Sequence, residues 1–170
     1  PVYRCKKQED ILNSINTWWK QNQEKRKASI LFGYSLGKAQ RILHGLNKEI
    51  GNIYAHTAVY NVQNALYEFG LPVYPVNRWT YDTPKNTNDL IVAPSSAANS
   101  PWLKRFEPYS TGVCSGWMQV RGLQRRGNTD AGFALSDHAD WDGLLTAIKA
   151  TSAQKVFVTH GYQSVFARYL

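Results

Sequence analysis

The stretch Gly132–Gly161, GFALSDHADWDGLLTAIKATSAQKVFVTHG, decides how the rest of the chain is read. It scans as strand, polar turn, helix, strand, polar turn. Gly132 to Ser136 is short and apolar, as a buried strand is. Asp140 is placed to cap a helix whose apolar residues Trp141, Leu144, Leu145 and Ile148 recur with a period near 3.6. Lys155 to Thr159, KVFVT, is β-branched and aromatic and is expected to form a second strand. This reading places Asp137 and His138 beyond the carboxyl end of one strand and His160 at that of the next. In open α/β sheets that edge is where sites are built. Two histidines delivered there suggest chemistry; two satisfied histidines at strand ends explain the spacing equally well.

Outward from this stretch the same alternation continues. Gln8 to Lys25 is expected to be a helix, with Ile11, Leu12, Ile15, Trp18 and Trp19 on one stripe. Ala28 to Phe32 reads as a buried strand, Gly33 to Gly37 as a turn, and Lys38 to Lys48 as a helix with Ala39, Ile42, Leu43 and Leu46 inward. A short strand, Ile53 to Ala55, leads to a helix capped by Thr57 and stopped by Gly70, with Ala58, Val62, Ala65, Leu66 and Phe69 inward. Leu71 to Asn88, rich in Pro and Asn, is a long surface connection. Asp89 to Ala93 and Tyr109 to Ser115 read as strands, with a helix starting at Ser100-Pro101 between them. Trp117 to Val120 is expected to pair with a strand near Ala134 across a basic turn, and Tyr162 to Leu170 begins a last helix. Strands alternating with helices predict an α/β fold with a parallel sheet.

The 170 residues suffice for a real core. Lysine and arginine number 20 against 12 aspartates and glutamates, a formal charge of +8, which favours a polyanionic partner such as nucleic acid. Cys5 and Cys114 stand far apart in no metal-like spacing, as reduced thiols of a cytoplasmic protein would. No apolar run approaches the roughly 18 residues of a membrane span, and no signal peptide is visible. The chain begins at Pro1 without an initiator Met and ends inside an expected helix, so it is read as a piece of a longer protein.

Three further stretches are candidates for chemistry. Gly33 to Gln40, GYSLGKAQ, is a strand-to-helix turn in which Ser35, Gly37 and Lys38 can face a phosphate at a helix start. It is not a Walker A loop, because Ala39 stands where Ser or Thr would hold magnesium. A tight turn with a solvated lysine is the competing reading. Arg121, Arg125 and Arg126 form a basic cluster that is either a solvated hairpin or, beside Trp117 and Lys104–Arg105, part of a groove that tracks a nucleic-acid backbone. Ser115 and Gly116 at a strand end let a phosphate approach the main chain closely. His44 and His56 are read as structural. A zinc site needs about four ligands, three of them usually from protein, and the 4 histidines here include no HxHxDH run.

In order along the chain, LGKAQRIL, IVAPSSAANSPWLKRF, SGWMQVRG, GFALSDHADW and VFVTHG resemble the β-CASP branch of the metallo-β-lactamase-fold nucleases. More narrowly they are similar to the bacterial ligase-associated DNA exonucleases, also described as mRNA 3′-end processing exonucleases. Several ordered blocks make the resemblance specific where any one would be weak. It implies a β-CASP-like domain over residues 1–128, inserted in a metallo-β-lactamase αββα sandwich to which residues 129–170 return. The amino-terminal half, with its HxHxDH metal motif, is absent. The implied activity is exonuclease-type phosphodiester hydrolysis of DNA or RNA, in DNA repair or mRNA 3′-end processing. Its implied cofactors are two divalent metal ions, zinc or manganese, and its implied partners are nucleic acid, a DNA ligase and a helicase.

By the same resemblance, His160 in the THG turn matches a histidine that ligates one metal of the pair. His138 in SDHAD matches the histidine that protonates the leaving oxygen. Independently of the resemblance, the neighbouring Asp137 and Asp140 are placed to orient it or to hold outer hydrogen bonds, and Asp140 serves equally as a helix cap only. With one expected ligand, the chain alone is expected to be inactive. Two other readings stand beside this one: a non-catalytic α/β module that binds nucleic acid or a nucleotide, and a hydrolase of small esters on the same metal fold. The basic insert argues against the last.

Overall fold

The computed structural model describes residues 4–119 and 129–170. Two compact units divide the chain, Lys6–Asp137 and a smaller one made of His138–Leu170 with Arg4 and Cys5. The division falls after Asp137. Residues 129–137 belong to the larger unit, because they include the last strand of its sheet.

The larger unit is α/β. Helix α1 (Gln8–Glu24) leads to strand β1 (Ala28–Phe32), helix α2 (Lys38–Gly45), strand β2 (Ile53–Ala55) and helix α3 (Thr57–Glu68). A two-residue strand β3 (Asn77–Arg78) follows, then β4 (Leu90–Ala93), two short 3-10 helices, β5 (Tyr109–Cys114), a 3-10 turn at Gly116–Gln119 and β6 (Ala131–Phe133). The six strands form one sheet in the order β3-β2-β4-β1-β5-β6, and every pairing is parallel. The expected parallel sheet is therefore present.

Side-chain alternation along the strands builds a core on each face. Leu31, Leu90 and Val92 pack with Ile15 and Trp19 of α1, Ile42 and Leu43 of α2, and Val59 of α3. Ile30, Phe32, Ile91 and Ala93 point the other way, against Leu103, Phe106, Trp79 and Trp102. The central strands β1 and β4 are buried throughout, which is why they read as unbroken apolar runs. Gly45 sets the approach of α2 to α1: a Cβ there would lie 2.2 Å from Leu12 Cδ1.

Several expectations are corrected. The cap of α3 is His56, whose Nδ1 accepts from Ala58 N at 3.2 Å, and not Thr57. The buried face of α3 carries Val59 and Gln63, while Ala58, Ala65 and Phe69 are exposed. Trp117 to Gln119 belongs to a 3-10 turn, not a strand, and β6 pairs with β5 instead, in parallel. Val120 and the basic turn lie outside the described residues.

In the smaller unit Asp140 caps helix α4 (Trp141–Thr151) through Gly143 N at 2.9 Å, and α4 is followed by α5 (Gln163–Tyr169). Trp141 packs edge-on to Phe166 and Tyr169. Lys155 to Thr159 is not a strand. Its composition supplies β propensity, but a strand exists through a ladder with a neighbour, and none of the described residues pairs with it. Its Phe157 is 78% exposed.

Candidate nucleic-acid interface

An all-parallel sheet collects its carboxyl ends on one edge, and chain order says where along that edge a crevice opens. From β1 the chain runs to β2, on one side; from β5 it runs to β6, on the other. The two strands are neighbours, with Phe32 opposite Val113. Their following loops therefore diverge, and the gap between them is the topological switch point where open α/β sheets take ligands. The loop after β1 carries Ser35, Gly37 and Lys38, and the loop after β5 carries Ser115 and Gly116. Five of the residues singled out in the sequence thus meet at one crevice. The chain after β6 brings Asp137 to the same edge.

Charge there is arranged in a way the sequence did not reveal. Lys38 is 3% exposed, and its Nζ lies 3.0 Å from Asp137 Oδ2. Arg41 Nη1 donates to Asp137 Oδ1 at 3.0 Å and to Ser136 O at 2.8 Å, while Nη2 donates to Gln8 Oε1 at 2.7 Å. Lys38 is therefore not a solvated lysine, and Asp137 is held by two cations. Two positive charges against one negative leave the cluster with one net positive charge. Cys114 is buried beside it. Burial pushes its thiol up to about 12, an effect the Lys38 charge opposes and Asp137 reinforces.

The start of α2 supplies a second feature. Gly37, at φ +86°, turns the chain into the helix, and its N–H donates to Gln40 Oε1 at 2.8 Å. That bond fixes which end of the Gln40 amide is oxygen. The amide nitrogen, Nε2, is buried and has no hydrogen-bond partner among the described residues. A helix amino terminus beside a net positive cluster is suited to an oxyanion. Arg41 and Gln40 were missed in the sequence, although both fall within one helical turn of Lys38. Trp117, 63% exposed, follows Ser115-Gly116, so an aromatic face stands on the same loop. Lys104 and Arg105 do not join it. They precede β5, and roughly 20 Å of strand separates them from Trp117.

In the smaller unit His138 and His160 are both exposed. His160 Nδ1 lies 3.1 Å from Thr159 Oγ1, Gly161 follows at φ +76°, and Gln163 Nε2 donates to Thr159 O. Asp140 Oδ2 accepts from Cys5 N at 2.8 Å. The Cys5 and Gly143 amides hold its carboxyl below the usual range, so Asp140 serves as a cap and clasp. His44 stacks on Tyr74, and His56 caps α3 against the edge of Trp102. Arg121, Arg125 and Arg126 lie outside the described residues. Among the described residues no three His, Cys, Asp or Glu side chains form a group that could hold a metal ion. No described helix is long and apolar enough to cross a membrane.

Fold and site together define an α/β protein with an all-parallel sheet and a net-positive crevice at its carboxyl edge. No family model matches the chain. Over 160 residues, 94% of its length, it is 29% identical to a protein of Opitutus terrae described as "Probable DNA ligase". The match covers 16% of that protein, so the chain spans about a sixth of the relative's length.

Proposed function

We propose that the chain is the substrate-holding part of a DNA-processing nuclease, and that the crevice between β1 and β5 grips the phosphodiester backbone. The carrying observation is the net-positive Lys38–Asp137–Arg41 cluster at the start of α2. A phosphate oxygen there would approach Ser35, Ser115 and the glycine backbones on either side. Trp117 offers a stacking face on the same loop as Ser115. The ordered motif blocks and the similarity over nearly the whole chain to a protein described as a probable DNA ligase support a nucleic-acid substrate.

Within this proposal His138 is the proton donor to the leaving oxygen and His160 is one metal ligand. The other ligands that two zinc or manganese ions need would come from beyond this chain. General-acid catalysis contributes about 10²–10⁴-fold, which sets the loss expected for His138→Ala in an assembled nuclease. His160→Ala should instead lower metal content and activity together. The test on the chain itself is incubation with zinc or manganese and a labelled oligonucleotide, alongside a binding measurement. Binding without turnover is expected. Turnover above background would show that the chain carries its own metal site; no binding would remove the nucleic-acid reading.

A further inference from the structure

The face of the sheet covered by the 3-10 helices holds a cavity of about 300 Å³, within the size range of small-molecule sites and separate from the crevice. Trp79, Tyr81 and Phe106 supply aromatic walls, and Lys85 and Arg105 stand on the lining. The Arg105 guanidinium lies over the Tyr81 ring, 3.9 Å from its centre. Asp89 also lines the cavity while being only 4% exposed. Its Oδ1 accepts from Asn52 Nδ2 at 3.1 Å; Oδ2 accepts no hydrogen bond from the described residues, and no ion pair among them neutralises it. Burial holds this carboxyl above its usual range, and the Asn52 bond only partly offsets that. A carboxylate on the lining of an aromatic cavity, with one oxygen not hydrogen-bonded to the described residues, suits a ligand that brings N–H donors on a flat ring.

We propose that this cavity binds a nucleobase carrying N–H donors on its pairing edge, guanine foremost, with the ring against Trp79 and Tyr81 and the edge on Asp89. Guanine presents two adjacent N–H donors, which match the two oxygens of a carboxylate. Uracil and thymine flank their one N–H with two carbonyl oxygens, which a carboxylate repels. A cationic amine is disfavoured because Lys85 and Arg105 share the lining; a phosphate attached to the base is favoured by them. The proposal rests on the nucleic-acid part of the reading above but uses neither histidine nor the crevice.

The experiment titrates the chain with guanosine 5′-monophosphate and uridine 5′-monophosphate, following tryptophan fluorescence and confirming by calorimetry. Guanosine monophosphate should bind saturably and about tenfold or more tighter than uridine monophosphate. Tyr81→Ala, a change at a side chain 71% exposed and so safe for folding, should weaken it by about tenfold. Asp89→Asn, which keeps the shape, should weaken guanosine monophosphate on the order of tenfold and shrink its preference over uridine monophosphate. Circular dichroism confirms the fold of both variants. Equal affinity for the two nucleotides, no saturable binding, or affinity unchanged in both variants overturns the proposal. Single-strand binding measured on the same samples separates the two readings, since a failed base pocket leaves the crevice contacts intact and the converse also holds.

Discussion

Replacing Asp137 should cost more than replacing the lysine it pairs with. The Lys38 side chain is 4% exposed, and Asp137 is its one ion-pair partner among the described residues. In Asp137→Ala the ammonium loses that partner while staying buried. Breaking a buried pair from one side costs about 3–5 kcal/mol, but Asp137 is itself 33% exposed and water can enter, so about 2–3 kcal/mol is the fitting figure. For a chain of 170 residues that corresponds to a fall of roughly 5–10 °C in Tm. In Lys38→Met the aspartate keeps Arg41 at 3.0 Å and the apolar stem is replaced in kind, so the cost should stay under about 1 kcal/mol. The double variant should then be more stable than Asp137→Ala alone. Urea unfolding followed by tryptophan fluorescence reads the right unit, since Trp18, Trp19, Trp79, Trp102 and Trp117 all lie in it. Equal costs for the two single variants, or an Asp137→Ala cost below about 0.5 kcal/mol, would refute the reasoning, because either means the ammonium reaches water without its partner.

Two other predictions follow from titratable groups. Burial lowers the pKa of His56 from 6.5, and its capping Nδ1 must be unprotonated to accept from Ala58. Its contribution is therefore present above pH 6.5 and lost as pH falls through the lowered folded value. Titration of the His56 ring by NMR should show a midpoint below 6.5, and His56→Asn, which keeps a cap, should flatten that acid dependence; a midpoint at or above 6.5 contradicts the cap. Cys114, raised to about 12 from 9.0, should resist thiol reagents at pH 8 until the chain is unfolded. The folded pKa exceeds the unfolded one, so its stabilisation is intact below pH 9.0 and is lost as pH rises towards 12. Cys114→Ala should make the alkaline loss of stability less steep, and rapid native labelling of Cys114 would overturn this.

What was legible in the sequence was what periodicity and local chemistry write into it. Strands β1 and β2 were placed at their observed limits because an apolar run between turn signals has one reading. Helix α1, with Ile11, Leu12, Ile15 and Trp19 buried, was equally plain. The face of α3 was misjudged because several stripes of this helix carry apolar residues, and only the packing shows that Val59 and Gln63 are the buried ones. Lys155 to Thr159 carried the propensity of a strand without the partner that makes one. The crevice was half visible: the turns at Ser35–Lys38 and Ser115–Gly116 were recognised, but the strand order that brings them together is a tertiary fact. The pairing of Lys38 with Asp137 spans most of the chain, and no local pattern announces it. Asp89 was read as the start of a strand, and only the packing of Trp79 and Phe106 against Trp102 gives it an aromatic cavity to face.

The central claim is that the crevice and the basic turn hold a phosphodiester backbone. The most direct measurement is the affinity of the chain for a labelled single-stranded DNA across a range of salt, for the native chain, for Ser115→Asp and for the triple variant Arg121→Ala, Arg125→Ala, Arg126→Ala. Each phosphate contact on a single strand contributes about 0.7 to the slope of log K against log salt. The account predicts that the triple variant loses up to about 2 from that slope and that Ser115→Asp, which puts a negative charge in the crevice, weakens binding most at low salt. An unchanged slope in the triple variant together with unchanged affinity in Ser115→Asp would contradict it.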